Sequence, residues 1–469
     1  MAICCDASMR CERLPAHRIP AMNSPAPQQS HASWPTLFAE HLEVVKKRSA
    51  LALGSTGYDA LLVHAGTPPL LFLDDHHLPF RVQAPFKVWA PLADAPDSFV
   101  FFAPGKKPLL LIHQPVDYWH QSPEMPGGYW TAGFDIVSCA DRDAARAALP
   151  KDLSRTAFIG APFPELLGWG PAAINPEHLI AQLDYGRAAK TAYEVACLRE
   201  ANVLGARGHV AAERAFRAGA SEFEIALAFM AACGQREREL PYNPIVALNE
   251  GGSVLHYQIQ RRDKPAKLYS LLIDAGAEFG GYASDITRTH SHTDAGFAAL
   301  IKRFDALQLK LCAQVRVGLD WKDFHQASYR AISEFLHETG IITVSADEAV
   351  DNALTSVFYP HGIGHLLGLQ VHDVGGLQRD PTGGAIDRPY NHPFLRLTRK
   401  LDDGCVVTVE PGFYFIDQLL NEAKAKPIGK MIDWGRVGEL KHFGGVRIED
   451  NVVARPGGQE NLTRPAFSA

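Results

Sequence analysis

The chain has 469 residues, of which 46% are hydrophobic and 21% charged, and its 46 basic and 52 acidic side chains leave a formal net charge of −6. This length and composition indicate a globular protein of two or three domains and exclude a peptide-sized binding module. Because sequence-independent binding to nucleic acid requires a basic face, and because no apolar run reaches the roughly 18 residues of a membrane span, we expect neither nucleic acid nor a membrane as a partner.

Residues 1–33 are rich in Pro, Ser and Ala and show little hydrophobic periodicity, so we predict a disordered leader. Basic residues and prolines interrupt this segment, and it therefore lacks the continuous apolar region of a secretory signal peptide. The eight cysteines of the chain form no Cys-x-x-Cys pair, which favours free thiols in a reducing compartment. The sequence therefore predicts a cytoplasmic protein.

Short apolar runs alternate with turn residues from 34 to 180. The runs at 60–63, 99–102 and 109–112 have the length and composition of strands, and Pro-Gly pairs separate such segments. We predict that residues 34–180 form a mixed α/β N-terminal domain of modest size.

Residues 181–469 begin with a helix-rich stretch that extends to about Gly234. Ser221 and Glu224 have the spacing of a capping box, so a helix is predicted to start there and to end at Gly234. Apolar and β-branched residues then predict strands at 245–248, 270–276, 404–410 and 445–454. The chain is therefore predicted to be an α+β protein whose larger C-terminal domain carries the chemistry.

Asp274 ends one predicted strand and Asp285 begins the next. The Gly280-Gly281 pair between them is typical of a tight hairpin turn. In a hairpin centred on these glycines the two aspartates are either directly opposed or diagonal neighbours, and both registers place them on one face of the sheet.

Two further acids, Glu410 and Glu449, lie in segments that otherwise have the composition of buried strands. Ionised carboxylates that converge in a protein interior need compensating positive charge. Two divalent metal ions would balance four carboxylates. Arginines such as Arg447 are the alternative, but few basic residues adjoin these strands.

The segment His361-Gly362-Ile363-Gly364-His365 places two histidines four residues apart, and His372 follows. Gly362 and Gly364 disfavour a helix, so this is not the helical zinc site that has the same spacing. One imidazole among four carboxylates gives a mostly oxygen ligand set, which favours Mn²⁺ and would accept Zn²⁺ or Co²⁺.

Five motifs, taken in order and spacing, resemble those of the pita-bread metallopeptidases. They are 273–276 (IDAG), 284–288 (SDITR), 361–365 (HGIGH), 409–412 (VEPG) and 445–450 (GVRIED). Within that fold the chain is most similar to the bacterial Xaa-Pro dipeptidase (prolidase) family and the related organophosphorus acid anhydrolases. The resemblance, from about residue 36 to the C-terminus, implies a C-terminal pita-bread (creatinase/aminopeptidase-like) catalytic domain behind a creatinase-like N-terminal domain.

The resemblance also implies the roles of individual residues. It implies a two-metal centre in which Asp285 and Glu449 bridge the ions and Glu410 doubles as a proton shuttle, with the ligands Asp274, Asp285, His365, Glu410 and Glu449. It makes His256, His361 and His372 catalytic groups around that centre. It implies that Arg396 binds the free carboxylate of a C-terminal proline, and that Arg447 and Tyr242 are further substrate-contacting residues.

The implied reaction is hydrolysis of Xaa-Pro dipeptides by a hydroxide shared between two metal ions, which also predicts a side activity on phosphotriesters. The resemblance further implies a homodimer in which Asp75, in the segment 72–75 (FLDD), reaches the neighbouring subunit's pocket. A separate metal site at Asp75 with His76 and His77 is the less favoured interpretation. Two other functions stay open, an aminopeptidase for longer peptides and a metal-free binding module.

Overall fold

The computed structural model of the chain describes residues 33–119 and 121–469. The predicted leader, except for Ser33, lies outside the described residues. Trp34–Ala469 form one compact unit. In the described part of the chain, no helix has the length and apolar character needed to cross a membrane.

The helices of the described residues are α1 Trp34–Thr56, α2 Ala84–Lys87, α3 Arg142–Ala148, α4 Leu166–Trp169, α5 Glu177–Arg187, α6 Ala192–Arg217, α7 Glu222–Cys233, α8 Ala295–Cys312, α9 Trp321–Glu338, α10 Ala346–Asp351, α11 Thr355–Phe358, α12 Asp417–Lys424, α13 Trp434–Leu440 and α14 Thr463–Ala466.

The strands are β1 Ala60–His64, β2 Phe99–Phe102, β3 Leu109–His113, β4 Asp135–Cys139, β5 Thr156–Ile159, β6 Ala173–Ile174, β7 Ile245–Leu248, β8 Ser270–Ala275, β9 Glu278–Phe279, β10 Tyr282–Ala283, β11 Ile286–Ser291, β12 Gln378–Asp380, β13 Gly383–Ala385, β14 Val406–Val409, β15 Gly412–Tyr414, β16 Gly445–Arg447, β17 Asp450–Arg455 and β18 Gly458–Asn461.

The N-terminal part is built on a six-stranded sheet in the order β4-β3-β2-β1-β5-β6. β1 pairs antiparallel with β2 and parallel with β5, so the sheet is mixed. The three predicted strands at 60–63, 99–102 and 109–112 are confirmed. The 23-residue helix α1, which the sequence pattern did not predict, buries Phe38, Leu42 and Val45 against this part of the core.

Helices α5 and α6 connect the N-terminal sheet to the rest of the molecule. The predicted boundary at 180/181 falls inside α5, which packs against α1. Farther along, the predicted capping box is confirmed, since Ser221 and Glu224 hydrogen-bond to each other's backbone N–H groups at the start of α7. That helix ends at Gly234, which has a left-handed backbone with φ of 69° as a C-cap requires.

The C-terminal part holds two small antiparallel sheets, β11-β8-β7 and β14-β17-β18, and the separate pair β15-β16. The predicted strands at 245–248, 270–276 and 404–410 are confirmed, whereas the segment 445–454 is divided into β16 and β17, which belong to different sheets. A single backbone bridge between Thr287 and Glu449 joins β11 to the turn between β16 and β17. This junction brings the two sheets side by side, so the acids carried by each of them converge.

Candidate metal centre

The hairpin of β8 and β11 positions the first two carboxylates. Thr287 pairs directly with Asp274. Asp285 lies two residues before Thr287, on the same face, so the two aspartates are diagonal neighbours. Gly280 and Gly281 have φ of 58° and 92°, the left-handed values that a two-residue turn between twisted strands requires. The Tyr242 hydroxyl lies 2.8 Å from Asp274 Oδ1 and 2.5 Å from Asp285 Oδ1, which shows that both side chains face the same space.

The other two carboxylates come from the second group of strands. Glu410 follows β14 directly, and its Oε1 lies 3.4 Å from the Thr408 hydroxyl. Glu449 lies in the turn after β16, where its N–H donates to the Thr287 carbonyl at 3.1 Å. The Thr287 hydroxyl in turn donates to Glu449 Oε2 at 2.6 Å. Thr287 thus links Glu449 to the strand that carries Asp285.

His365 completes the group from an irregular segment that lies against β14. A Cβ on Gly364 would come within 2.0 Å of the Thr408 carbonyl oxygen, so only glycine allows this close approach. His365 Nε2 lies 3.5 Å from Asp285 Oδ2 and 3.6 Å from Glu410 Oε1. Nδ1 lies 3.0 Å from the Leu366 carbonyl, an arrangement that holds the proton on Nδ1 and leaves Nε2 free to bind a metal.

The charges of this group do not balance within the described residues. Among the four carboxylates, only Asp274 pairs with a guanidinium: its Oδ2 accepts a hydrogen bond from Arg447 at 2.8 Å. No Lys or Arg of residues 33–119 and 121–469 pairs with the other three carboxylates. Burial raises the pKa of Glu410 to about 7. Burial, followed by the neighbouring carboxylates with Asp285 first, raises the pKa of Glu449 well above its ordinary range. The carboxylates of the site therefore outnumber the cationic side chains that pair with them.

The pKa values of the remaining ligand candidates show where the charges compensate each other. Burial raises the pKa of Asp274, although Arg447 opposes this shift. Burial acts to raise the pKa of Asp285 as well, but the hydrogen bond and charge of His365 outweigh it and the pKa is lowered. Burial acts to lower the pKa of His365, but Asp285 and Glu410 together raise it.

The donor set fits divalent metal ions. Ligand atoms of Asp285, His365 and Glu449, all three buried, lie within 4.8 Å of one another. Asp274 and Glu410 contact this trio through Tyr242 and His365 respectively. Oxygen ligands with a single imidazole are those preferred by Mn²⁺, and the missing positive charge is what such ions would supply.

A second group of polar side chains supports the carboxylates. The Tyr414 hydroxyl lies 2.8 Å from His361 Nε2 and accepts from Arg447 Nη1 at 3.1 Å. His361 Nδ1 is 3.5 Å from Glu410 Oε2. The sequence analysis missed Tyr414 and Thr287. Thr287 could have been found from the two-residue period of its strand, which places it on the same face as Asp285.

Besides Asp75, three of the predicted catalytic and substrate-binding residues are exposed, whereas the ligand candidates Asp285, His365 and Glu449 are buried. These are His256, His372 and Arg396. The His372 ring packs edge-on against His365 with 4.4 Å between ring centroids. Burial, then the charges of His365 and Arg396, lower the pKa of His372 to about 3. His372 therefore lies next to the ligand candidate His365, and Arg396 lies close enough to His372 to affect its pKa.

Asp75 takes no part in the buried centre. It is exposed, and atoms of Asp74, Asp75 and His76 come within 4.8 Å of one another. His77, which we had included in the less favoured metal site, instead places its Nδ1 3.1 Å from the Pro68 carbonyl. Exposed acidic groups of this kind are common without a metal ion.

Comparison with known proteins agrees with this geometry. The family model "Xaa-Pro dipeptidase, N-terminal domain" matches residues 36–185, and "Metallopeptidase family M24" matches residues 196–456. The chain is 48% identical over 436 residues to the Xaa-Pro dipeptidase of Stenotrophomonas maltophilia (strain K279a), which covers 92% of this chain and 98% of that protein. It is 47% identical over 444 residues to the Xaa-Pro dipeptidase of Xanthomonas axonopodis pv. citri (strain 306), a match that covers 94% of this chain and 100% of that protein.

Solved structures share the fold at much lower identity. E. coli aminopeptidase P with the inhibitor Pro-Leu superposes with a TM-score of 0.70 at 21% identity, covering 93% of this chain and 96% of that one. Proline aminopeptidase P II from Yersinia pestis superposes with a TM-score of 0.68 at 22% identity, covering 91% of this chain and 96% of that one. The predicted pita-bread domain behind a smaller N-terminal domain is therefore confirmed. The matched domains and the extent of the similarity show that this chain is a peptidase and belongs to metallopeptidase family M24.

Proposed function

We propose that the chain is an Xaa-Pro dipeptidase that works with two divalent metal ions. The observation that carries the proposal is the group of four converging carboxylates with Arg447 as their one guanidinium partner in the described chain. The names of the relatives that match nearly the whole chain support the substrate class. The metal-free binding module is the weaker alternative, because all five ligand positions are present.

In this proposal the residues that would hold the ions are Asp274, Asp285, His365, Glu410 and Glu449, of which Asp285, His365 and Glu449 lie closest together. When bound, two divalent cations lower the pKa of a water molecule between them and polarise the scissile carbonyl group. Mn²⁺ is the preferred ion, because four of the five ligands are carboxylates.

The residues of the chain supply proton transfer and charge stabilisation. Glu410 accepts a proton from the attacking water and delivers it to the prolyl nitrogen, since its carboxylate lies at the centre, 3.6 Å from His365 Nε2. His361, 3.5 Å from Glu410 Oε2, orients that carboxylate. His256 and His372, on the solvent side, stabilise the charge that develops on the substrate.

Substrate recognition is assigned to Arg396, whose guanidinium pairs with the free carboxylate of the C-terminal proline. Its exposure and its effect on the pKa of His372 support a place at the entrance of the site. Arg447 and Tyr242 hydrogen-bond to Asp274, which favours a role in orienting that ligand. Their contact with substrate stays a prediction.

The decisive experiment combines metal analysis with hydrolysis of Ala-Pro. The purified wild-type protein is expected to bind two Mn²⁺ per chain and to release proline, whereas Asp285→Asn loses metal and turnover together. Full activity in Asp285→Asn would contradict the ligand assignment. Cleavage of Ala-Pro-Ala at a rate similar to that of Ala-Pro would instead favour an aminopeptidase for longer peptides.

A side activity on phosphotriesters is a second part of the proposal, because the same centre would activate water for attack on phosphorus. A p-nitrophenyl phosphotriester tests it directly. Absence of p-nitrophenol release, at enzyme concentrations that fully hydrolyse Ala-Pro, would contradict it.

The predicted homodimer and cytoplasmic location also remain proposals. Asp75 is exposed, as a residue that reaches a neighbouring subunit must be before assembly. The five cysteines of the described chain, from Cys139 to Cys405, are buried free thiols, which suits a reducing compartment. Light scattering of the wild type and of Asp75→Ala, together with their kinetics on Ala-Pro, tests the subunit contact.

A further inference from the structure

The loop 389–396 ends at Arg396 and lies beside the metal centre. Its side chains divide into two sets: Tyr390 and Phe394 are 99% and 69% exposed, whereas Leu395 is fully buried and His392 is partly buried. The inward-facing side chains therefore determine where the loop, and with it Arg396, is held.

His392 attaches this loop to helix α9. Its ring lies edge-on to His325, with 4.4 Å between centroids and 86° between planes, and 4.5 Å from the centroid of Tyr329. Nδ1 of His392 and of His325 are buried without a hydrogen-bond partner among the residues that the structure describes. Burial, followed by His392 and His361, lowers the pKa of His325 to about 3, so it packs as a neutral ring. The contact is one of ring packing rather than of hydrogen bonding.

The same helix also supports the histidine motif of the centre. The Tyr329 hydroxyl donates to the Tyr359 carbonyl at 2.7 Å, and the Tyr359 ring lies 4.7 Å from that of His361. Leu395 packs on the other side of the motif, since a Cβ on Gly362 would lie 3.1 Å from Leu395 Cδ1. The loop and the histidine motif thus contact the same helix, α9, and also each other, and these contacts fix their relative positions.

We propose that His392 is a positioning residue for Arg396, because its ring holds the loop 389–396 against α9 and so presents the guanidinium to the substrate carboxylate. This inference rests on the proposed function, in which Arg396 binds the C-terminal carboxylate. A positioned guanidinium contributes equally to substrate and transition-state binding, since the carboxylate does not change during the reaction. Loss of its position should therefore raise KM and leave kcat nearly unchanged.

The test compares His392→Ala with the ring-retaining control His392→Phe in the metal-loaded enzyme. We expect His392→Ala to raise KM for Ala-Pro about tenfold with kcat within about twofold of the wild type. His392→Phe keeps the packing and removes an unpartnered nitrogen, so its KM should match that of the wild type. In an Arg396→Ala background the same substitution should have almost no further effect on KM.

Hydrogen–deuterium exchange of peptides covering 389–396 gives a readout that does not require activity. Exchange should increase in His392→Ala and stay unchanged in His392→Phe. Additive effects of His392→Ala and Arg396→Ala, a fall in kcat without a rise in KM, or unchanged exchange in His392→Ala would each overturn the positioning role. A wild-type enzyme that fails to hydrolyse Ala-Pro would overturn the proposed function, and with it the claim that Arg396 is presented to a substrate carboxylate. The exchange result would still decide whether His392 holds the loop.

Discussion

Glu449 and Asp450 are consecutive residues, both almost wholly buried, yet their carboxyl groups are in opposite electrostatic situations. Burial acts to raise the pKa of Asp450, but Arg288 and Arg464 outweigh it and the pKa is lowered. Burial raises the pKa of Glu449 well above its ordinary range, and the neighbouring carboxylates raise it further. Among the residues that the structure describes, Asp450 therefore forms ion pairs with arginines and Glu449 forms none.

The contacts explain the difference. Asp450 accepts hydrogen bonds from Arg288 Nη2 at 2.8 Å and from Asn461 Nδ2 at 2.9 Å, and it also pairs with Arg464. Glu449 lies in the turn just before this strand, and the Thr287 hydroxyl is its hydrogen-bond donor. A buried carboxylate by itself therefore does not indicate a metal site. A group of buried carboxylates without cations does.

The largest effect is expected for Glu449→Gln, which keeps the shape of the side chain and removes the charge. Because loss of a group that only orients a metal ligand already costs about 10–100-fold, we expect loss of a ligand to reduce Ala-Pro turnover more than about a hundredfold. The metal content, measured by inductively coupled plasma mass spectrometry, should fall in parallel. Folding of the metal-free protein should not be weakened, and a large loss of stability there would indicate a structural role instead.

Asp450→Asn is expected to show the reverse pattern. Removal of this charge leaves Arg288 without its carboxylate partner, whereas Arg464 keeps its pair with Asp305. We therefore expect a loss of about 3 kcal/mol in the free energy of unfolding, near the lower end for a broken buried pair. The folded fraction should still bind two metal ions. Urea denaturation measures the first result and metal analysis the second, and a loss of metal at unchanged stability would contradict the comparison.

Thr287→Val removes the hydroxyl that donates to Glu449 while keeping the volume of the side chain. We expect metal affinity to fall about tenfold, as is usual for a group that orients a metal ligand. The fall should be smaller than in Glu449→Gln. Titration of Mn²⁺ into the chelated protein measures it. Thr289→Val, on the same strand, is the matched control, because the Thr289 hydroxyl donates to the Arg447 carbonyl instead of to a carboxylate.

The pH dependence of stability distinguishes Glu410 from Asp450 without a substitution. The pKa of Glu410 is raised from 4.5 to about 7, so in the metal-free protein its contribution to stability is fully present below 4.5 and is lost as the pH rises through about 7. Asp450, with a lowered pKa, contributes above 3.8 and loses this contribution as the pH falls through its lower folded value. Urea unfolding of chelated protein from pH 5 to 8 should show the first slope, and saturating Mn²⁺ should abolish it. The same slope with and without metal would contradict the assignment.

Much of the fold was predictable because the relevant signals are local. The strands at 60–63 and 270–276 follow from apolar runs, and the capping box at Ser221 follows from hydrogen bonds between residues three apart. Helix α1 was missed. Its burial depends on contacts with segments far along the chain.

The candidate centre was predictable for a related reason. Acids in apolar strands and a glycine-separated histidine pair indicated a group of carboxylates that needs positive charge, and the resemblance to the pita-bread metallopeptidases implied which five residues are the ligands. The supporting residues were not predictable to the same extent, because Tyr414 and His392 act through rings and hydroxyl groups that have no characteristic spacing.

By itself, the sequence determined the elements of this protein, the carboxylates and histidines that they carry, and the turn that places Asp274 and Asp285 on one face. Only the tertiary structure decided which acids are left without countercharge. Glu449 and Asp450 are equivalent in the sequence, and Arg288, which neutralises one of them, lies on a different strand more than a hundred residues earlier. Charge balance in a protein interior depends on such distant partners, and these come together only when the chain is folded.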